Sequence, residues 1–529
     1  MFLTWTIALG QLTFVPLVFA GAKTLVYCSE GSPKTLNPQL ATDGTSANAS
    51  AHTVFNRLVE FKEGSSEIIP ALAESWAIAK DSLKYTFKLR KGVKFHSNSF
   101  FKPTRDMNAD DVIYSFQVQM DPKNPLTLKN GNYEYFTSME MDKIIKSITK
   151  VDDYTVEFVL SRKEAPFLAN LAMDFTSILS KEYAESLLKA GQVLETISTN
   201  PIGTGPFVFK SYQKDTIIRF TAHEKYFRGK PKIDSLVFAV TPDASVRYQK
   251  LKAGECHFVS EPAPADIENI AKNPKLKLMK EPGLNVGYLA FNTEKKPYDS
   301  LKVRQAIMHA LNRQSYIDAV YLGHATIAKN PMPPLIWSYN DKVKDYEYNV
   351  EKAKQLLKEA GYEKGFDAEM WALPISRPYN PSGKKLAELM QSDLAKIGIK
   401  LKISTFDWPI HLEKSRNGEH QMIQAGWTGD NGDPDNFLNI LLSCASVPSG
   451  TNVARWCYKP YNDLVTQAKQ MTNQQKRTEL YKKAQVIFKE QIPWVTLAHA
   501  QVFRAMSSQV SGYTIHPFGG DLFEKVDIK

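Results

Sequence analysis

Three aspartates in one glycine-containing loop are the residues of this 529-residue chain with the clearest chemical potential. The loop spans residues 427–436, and its carboxylates belong to Asp430, Asp433 and Asp435. The spacing resembles a calcium loop, but Pro434 interrupts it and Leu441 stands where a bidentate glutamate is required. Because glycine lets the main chain approach closely, these carboxylates are predicted to hold a positively charged group such as an ammonium.

Arg377 is the cation that could complement this loop. It lies in the segment 375–381, which two prolines stiffen, and a guanidinium held there can bind a carboxylate through two parallel hydrogen bonds. An ordinary surface salt bridge is the alternative for Arg377, and a turn-forming side chain is the alternative for Asp430. Trp427 and Tyr379 are predicted to wall the same pocket, although an aromatic residue there could equally belong to the core.

The sequence offers no catalytic motif to set beside this pocket. It lacks a Gly-x-Ser-x-Gly elbow, a His-Glu-x-x-His pair and a Gly-x-x-x-x-Gly-Lys-Ser/Thr phosphate loop, and no two of its ten histidines are four residues apart. These absences weaken an enzymatic interpretation, and no cofactor or metal is predicted.

Chain length predicts two or three lobes, since one hydrophobic core rarely grows to this size, and the mixture of strand and helix patterns predicts that they are α/β or α+β. Alternating apolar and polar residues predict two hairpins, one joining 85–89 to 93–95 and the other joining 148–151 to 154–160. Further strands are predicted at 233–239, 286–291 and 399–405.

Helical spacing of apolar residues predicts three helices among others. One begins after Asn349, a plausible N-cap, and ends before Gly361. The second carries Val303, Ile307 and Ala310, and the third spans about 477–489.

Residues 1–22 contain no charged side chain and end in small residues before Lys23, a pattern typical of a secretory signal peptide cut after Ala22. An uncleaved membrane anchor is the alternative. No later apolar stretch approaches the roughly 20 residues that span a bilayer. The net charge of +10 comes from scattered lysines, which indicate a solvated surface rather than a nucleic-acid site.

The four cysteines suggest disulfides in an exported chain, with three possible pairings. None has the C-x-x-C spacing of a zinc site. Cys444 and Cys457 are close in sequence, so we pair them and leave Cys28 with Cys256. Four buried thiols are the alternative.

The mature chain resembles the peptide/nickel solute-binding family (family 5, cluster C type) that serves ABC importers, and within it the periplasmic dipeptide-binding proteins. Single short motifs are weak evidence, but an ordered set over the whole chain is strong. The matching segments are 23–31 (KTLVYCSEG), 71–76 (ALAESW), 108–112 (NADDV), 165–168 (APFL), 201–207 (PIGTGPF), 282–288 (PGLNVGY), 303–306 (VRQA) and 426–436 (GWTGDNGDPDN).

The resemblance implies a two-lobed periplasmic-binding-protein-like fold with an extra domain inserted in the first lobe. The signal peptide would occupy 1–22 and the inserted domain 56–203. The first lobe would combine 23–55, 204–282 and 501–529, and the second lobe would span 283–500. Both chain crossings, near 203–207 and 282–287, are rich in glycine and proline, which suit sharp turns and hinges. The family's disulfides pair as proposed above.

The resemblance also assigns roles to the candidate residues. Asp430 would bind the amino terminus of a peptide and Arg377 its carboxyl terminus, which limits the ligand to a dipeptide. Gly429, with Trp427 and Tyr379, belongs to the same pocket. Thr45 and Asn285 are weaker candidates, as loop residues on the facing wall.

The implied protein is a periplasmic monomer, not an enzyme, that closes on a dipeptide and delivers it to a membrane permease with an ATPase partner. Capture of haem or glutathione by the same fold is one alternative. A secreted peptidase is the alternative from another class.

Overall fold

The computed structural model describes residues 22–99, 101–129 and 131–529. The predicted signal peptide lies outside these residues except for Ala22. Among the described helices, none combines the length and the apolar character needed to cross a membrane.

The described strands are, in chain order, β1 (Thr24–Ser29), β2 (Val59–Phe61), β3 (Ile68–Pro70), β4 (Ala73–Ile78), β5 (Lys84–Leu89), β6 (Ile145–Asp152), β7 (Thr155–Leu160), β8 (Phe207–Gln213), β9 (Ile217–Ala222), β10 (Ser235–Val240), β11 (Phe258–Ser260), β12 (Leu276–Pro282), β13 (Asn285–Phe291), β14 (Ala325–Ile327), β15 (Asp367–Trp371), β16 (Lys400–Ser404), β17 (Met422–Thr428), β18 (Trp494–Ser507), β19 (Val510–Ser511) and β20 (Asp527–Ile528).

The described α-helices are α1 (Gly44–Ala49), α2 (Ala109–Met120), α3 (Glu134–Ser138), α4 (Met141–Ile144), α5 (Phe167–Asn170), α6 (Lys181–Lys189), α7 (Ala244–Ala253), α8 (Ile267–Lys272), α9 (Leu301–Ala310), α10 (Arg313–Tyr316), α11 (Val350–Glu359), α12 (Gly383–Ala395), α13 (Trp408–Arg416), α14 (Asp435–Leu438), α15 (Ser446–Ser449), α16 (Lys459–Lys469) and α17 (Gln474–Gln491). Short 3₁₀ turns occupy Pro38–Leu40, Asp174–Thr176, Leu194–Ser198 and Pro264–Asp266, and a π turn occupies Ile317–Tyr321.

A 12-stranded mixed sheet runs through the molecule in the order β16-β15-β17-β13-β18-β11-β1-β10-β9-β8, with β12 and β14 also paired to β18. The long strand β18 therefore joins two halves of this sheet. The first half contains β1 and β8–β12, and the second half contains β13–β17. The predicted α/β class is confirmed, and the domain limits remain predictions.

The first half of the sheet is packed by aromatic rings. The ring of Tyr27 on β1 lies 4.7 Å from Phe238, 5.6 Å from Phe258 and 5.3 Å from Phe523. Phe523 comes from the C-terminal segment, so the end of the chain packs against the strands at its beginning. Aromatic pairs at such separations add to the hydrophobic stabilisation of a core.

The second half is built around β13, which is buried along its whole length between β17 and β18. The predicted helix after Asn349 is confirmed as α11: the Asn349 side chain accepts a hydrogen bond from the N–H of Lys352 at 2.9 Å. Gly361 follows with φ of 85°, the left-handed conformation that suits glycine at a helix end.

The predicted hairpin at 148–160 is confirmed as β6 and β7, which belong to a separate four-stranded sheet with β4 and β5. The other predicted hairpin is wrong in its second strand. Residues 93–95 form no strand, because the carbonyl of Val93 accepts from Met107 and the N–H of His96 donates to Gly203. Strand β5 pairs with β4 and β7 instead.

Both proposed cysteine pairs are joined. The Cα atoms of Cys28 and Cys256 are 5.8 Å apart, and those of Cys444 and Cys457 are 4.6 Å apart. The first bond links β1 to the chain just before β11, and the second closes the loop that follows α14.

Removal of the two disulfides should destabilise the protein unequally. The pairs are separated by 228 and 13 residues in sequence, and closing a longer loop restricts the unfolded chain more. Replacing Cys444 and Cys457 with alanine should lower the free energy of unfolding by about 3 kcal/mol, and replacing Cys28 and Cys256 by about 5 kcal/mol. Urea denaturation followed by circular dichroism measures both. Equal losses, or a larger loss for the short loop, would contradict the expectation.

Candidate functional site

A cavity of about 210 Å³ lies among residues from three separate parts of the chain. One wall comes from the segment around α1, a second from 134–135 and 173–174, and a third from 373–379 and the end of β17. Of the candidate residues, the cavity is lined by Asp430, Arg377, Trp427 and Tyr379. The predicted acidic residue and the predicted basic residue of the pocket therefore line the same cavity.

The acidic loop is folded by Asn436. Its side-chain oxygen accepts hydrogen bonds from the main-chain N–H of Asp430 and from the indole of Trp427, both at 2.9 Å. The Asp433 carboxylate pairs with Arg477 at 2.7 Å and also accepts from the N–H of Asp435 at 2.9 Å, and the Asp435 carboxylate accepts from the hydroxyl of Tyr481 at 3.5 Å. These two aspartates therefore bond within the protein and shape the loop.

Asp430 is a half-buried carboxylate without a cation. Its Oδ2 accepts hydrogen bonds from the hydroxyl of Tyr135 at 2.6 Å and from the amide of Asn436 at 3.2 Å, and it takes part in no ion pair of the described residues. Burial raises the pKa of Asp430 to about 7, despite those two hydrogen bonds and with help from the charge of Asp174. A positive group entering the cavity would relieve this unfavourable burial.

The pKa of Asp174 nearby is shifted in the opposite direction. It pairs with His52 at 3.1 Å and with Arg57 at 3.0 Å. Burial alone would raise the pKa of Asp174, but these neighbours lower it to about 2. Of the two carboxylates on this side of the cavity, Asp430 is thus the one open to an external cation.

Arg377 is held in place by residues of the segment 30–45. Its guanidinium donates to Glu30 at 2.5 Å and to the hydroxyl of Thr45 at 2.9 Å, and it stacks 5.0 Å from the ring centre of Trp408. Burial would raise the pKa of Glu30, yet Arg377 and Thr45 lower it to about 2. Arg377 is therefore charged and fixed in orientation rather than placed in a surface salt bridge.

The two aromatic candidates form walls of the cavity. Tyr379 packs so closely on Gly426 that a Cβ added there would lie 2.1 Å from its ring, and Tyr379 is 9% exposed. Trp427 makes an edge contact with Tyr135, with ring centres 5.8 Å apart. Glycine at position 426 is thus a steric requirement of the pocket wall.

The remaining three candidates do not line the cavity. Thr45 lies in helix α1 and Asn285 begins strand β13, so the expectation that both are loop residues is wrong. Thr45 acts on the site through Arg377. The amide of Asn285 bonds to both the carbonyl and the N–H of Ala500 at 2.9 Å, which joins two strands of the sheet.

Gly429 has a structural role beside Asp430. Its N–H donates to the carbonyl of Leu284 at 2.7 Å, and an added Cβ would lie 2.7 Å from the ring of Phe437. The glycine thereby allows the loop to cross a buried aromatic ring directly before Asp430.

Several site residues were missed by the sequence analysis. Glu30 lies in a matched motif, but nothing local indicates that it meets Arg377, which is 347 positions further along the chain. The others are Tyr135, Asp43, Glu261, Trp408, His52 and Asp174, all of which line the cavity. They come together only through the tertiary fold.

A cavity with an unpaired carboxylate on one wall and an oriented guanidinium on another can hold a small zwitterion without any catalytic group. Together with the shared 12-stranded sheet, this geometry defines the class of α/β solute-binding proteins. The profile of the bacterial extracellular solute-binding proteins, family 5 (middle region), matches residues 67–449. The chain belongs to this family, which is one of binding proteins and not of enzymes.

Three similar proteins extend this comparison over nearly the whole chain. The dipeptide-binding protein of Escherichia coli K12 is 53% identical over 96% of this chain and 95% of its own length. Heme-binding protein A of Haemophilus influenzae is 49% identical over 96% and 92%. A crystal structure of the dipeptide-binding protein of Pseudoalteromonas sp. SM9913 in complex with Met-Leu has a TM-score of 0.94, with 40% identity, and covers 96% of this chain and 100% of that chain.

The steric role of Gly429 can be tested by substitution. Gly429→Ala should lower the free energy of unfolding by roughly 1 to 3 kcal/mol, because its methyl group would press on the buried Phe437 ring. Gly44→Ala is the matched control, since nothing lies within 4 Å of an added Cβ at that position. Thermal denaturation measures both variants, and equal melting temperatures for the two would contradict the close-contact explanation.

Proposed function

We propose that this protein captures dipeptides and delivers them to an ABC importer. The observation that carries the proposal is the half-buried Asp430 carboxylate, which lines the cavity and forms no ion pair within the described residues. It would bind the peptide ammonium, while Arg377 would bind the peptide carboxylate with the N–H groups that Glu30 and Thr45 do not use. The names of the E. coli and Pseudoalteromonas relatives support this ligand class.

Fixing both peptide ends sets the length of the ligand. Backbone and terminal contacts would supply most of the affinity, and ordered waters would accommodate side chains of different size. A longer peptide would have to displace one of its charged ends from Asp430 or Arg377. This explains why a dipeptide is preferred to longer peptides.

Capture is proposed to occur by closure of the two lobes. Within the domain limits proposed above, Asp430 and Arg377 lie on the second lobe, whereas Tyr135 lies on the inserted domain and Glu30 and Thr45 on the first lobe. The hydrogen bonds between these residues therefore cross the cleft, and a bound peptide would shift the population toward the closed form. The closed form would then dock on a permease with an ATPase partner.

The cellular setting follows from the same proposal. The uncharged segment 1–22 would act as a signal peptide, and the mature protein would work as a monomer in the periplasm. Haem or glutathione capture is not favoured by any specific observation at the cavity. His52, which lines it, is hydrogen-bonded to Asn48 and to Asp174.

Loss of either charge should weaken dipeptide binding. Asp430→Ala and Arg377→Ala should each reduce the binding free energy of Ala-Ala by roughly 2 to 5 kcal/mol, because one partner of a desolvated charge pair is removed. Isothermal titration calorimetry measures the affinity, after mass spectrometry has shown that no co-purified ligand remains.

Two exposed residues provide the controls for this experiment. Arg219 lies exposed on β9, and Asp463 forms a surface pair with Lys459 on α16. Arg219→Ala and Asp463→Ala should leave the affinity within about twofold, which is the range of a surface substitution. Unchanged affinity in both the Asp430 and Arg377 variants would refute the proposed placement of the peptide.

Closure without added peptide should depend on pH. The pKa of Asp430 rises to about 7 in the closed arrangement, whereas a hydrated aspartate in an open cleft has a pKa of about 4. The closed form then binds more protons between these values, so low pH favours it and this advantage is lost as pH rises through 7. The closed-to-open ratio should fall by up to about tenfold per pH unit in that window.

Small-angle X-ray scattering at about pH 5 and about pH 8 tests this linkage. The radius of gyration of the wild type should be larger at the higher pH, and a saturating dipeptide should remove the difference. Asp430→Asn should show a weaker pH dependence. The part that remains would come from Glu261, because burial raises the pKa of Glu261 to about 7 although the charge of Arg504 opposes the rise. An identical pH dependence in the variant would contradict the assignment to Asp430.

A further inference from the structure

Asp43 is a second carboxylate of the cavity that no cation neutralises. Its Oδ1 caps helix α1 by accepting from the N–H of Ser46 at 3.0 Å, and it also accepts from the indole of Trp408 at 3.4 Å. Its Oδ2 is buried and receives no hydrogen bond from any described residue. Asp43 is 8% exposed and lines the cavity, so a small rotation of its side chain would bring this oxygen to a cation held there.

The other acidic residues around the cavity are already paired. Glu134 is held by Lys34 at 3.1 Å and by Arg416 at 2.8 Å. Glu261 is held by Arg504 at 2.9 Å, and Asp174 by the partners described above. An unpaired buried carboxylate is costly, so Asp43 and Asp430 are the two positions where a ligand cation would be most stabilised.

Asp43 lies at the Arg377 end of the cavity. The ring of Trp408 connects the two residues, since Arg377 stacks on it and Asp43 accepts from its indole. Asp43, Glu261 and Tyr379 all line the cavity. Burial raises the pKa of Tyr379, Arg377 opposes this rise, and the charges of Asp43 and Glu261 add to it. Arg377 does not neutralise Asp43, because it forms its ion pair with Glu30.

We propose that Asp43 makes the protein selective for dipeptides whose carboxyl-terminal residue carries a basic side chain. The inference rests on the proposed function. In a dipeptide held by Arg377, the second side chain leaves from the carbon atom that bears the bound carboxylate. A lysine or arginine side chain at that position lies near Asp43, and its cation can donate to the free Oδ2.

Calorimetry with matched dipeptides tests the proposal. Ala-Lys should bind the wild type at least about tenfold more tightly than Ala-norleucine, which has the same carbon chain without the ammonium. A tenfold ratio of dissociation constants corresponds to a difference of about 1.4 kcal/mol in binding free energy. Lys-Ala, with the charge on the first residue, should gain no such advantage. Equal affinity for Ala-Lys and Ala-norleucine in the wild type would overturn the proposal without any variant, and so would an advantage for Lys-Ala that depends on Asp43.

Asp43→Asn isolates the charge, because asparagine is an equally good helix cap. In this variant the preference for Ala-Lys over Ala-norleucine should fall to about threefold or less. Asp243→Asn is the matched control: Asp243 caps helix α7 by accepting from Val246 at 2.8 Å and does not line the cavity. A preference that survives in Asp43→Asn would overturn the proposal. If none of the dipeptides binds the wild type, the proposed function itself fails, and that result is distinct from binding without a basic preference.

Discussion

Burial of ionised groups is the constraint on which the cleft of this protein depends. A charge removed from water needs a partner, and the pair of Glu30 and Arg377 shows how far the chain goes to provide one. Both side chains are almost fully buried, with relative exposures of 3% and 9%. Glu30 follows directly after β1, and hydroxyls of Thr45 and Ser260 complete its hydrogen bonds at 2.7 Å each. Since removing either partner would leave a buried charge alone, the pair fixes how the segments around residues 30 and 377 face each other.

The same constraint explains why Asp430 can act as a binding group. Tyr135 and Asn436 satisfy part of its hydrogen-bonding capacity and hold the carboxylate in place, but neither supplies a positive charge. Neutral donors orient the group without neutralising it. Asp174, on the same side of the cavity, forms an ion pair with Arg57 and a hydrogen bond with His52. In the proposed function, selectivity for a cation would therefore depend on which carboxylate lacks a cationic partner, not on the number of acidic residues around the cavity.

The sequence predicted the parts of this site that local composition encodes. Asp430 and Trp427 lie in an unusual glycine- and aspartate-rich loop, and Arg377 and Tyr379 lie in a proline-stiffened one, so each stood out without its tertiary partners. Glu30 and Tyr135 did not, because their importance depends on contacts across 347 and 295 positions of the chain. The same limit made residues 93–95 look like a strand. Their alternation is that of an extended segment, but the carbonyl of Val93 accepts from Met107 and His96, the residue after the segment, donates to Gly203, so the segment joins no sheet.

Asn285, which the sequence suggested as a pocket residue, explains how the two halves of the large sheet are joined. Strand β12 pairs with β18 as far as Pro282 opposite Gln501, and β13 resumes the pairing at Gly287 opposite Ala498. Between these points the ladder is interrupted, and the Asn285 amide takes its place by bonding both main-chain groups of Ala500. These two hydrogen bonds satisfy the side-chain amide inside the sheet, which accounts for a fully buried asparagine at this point.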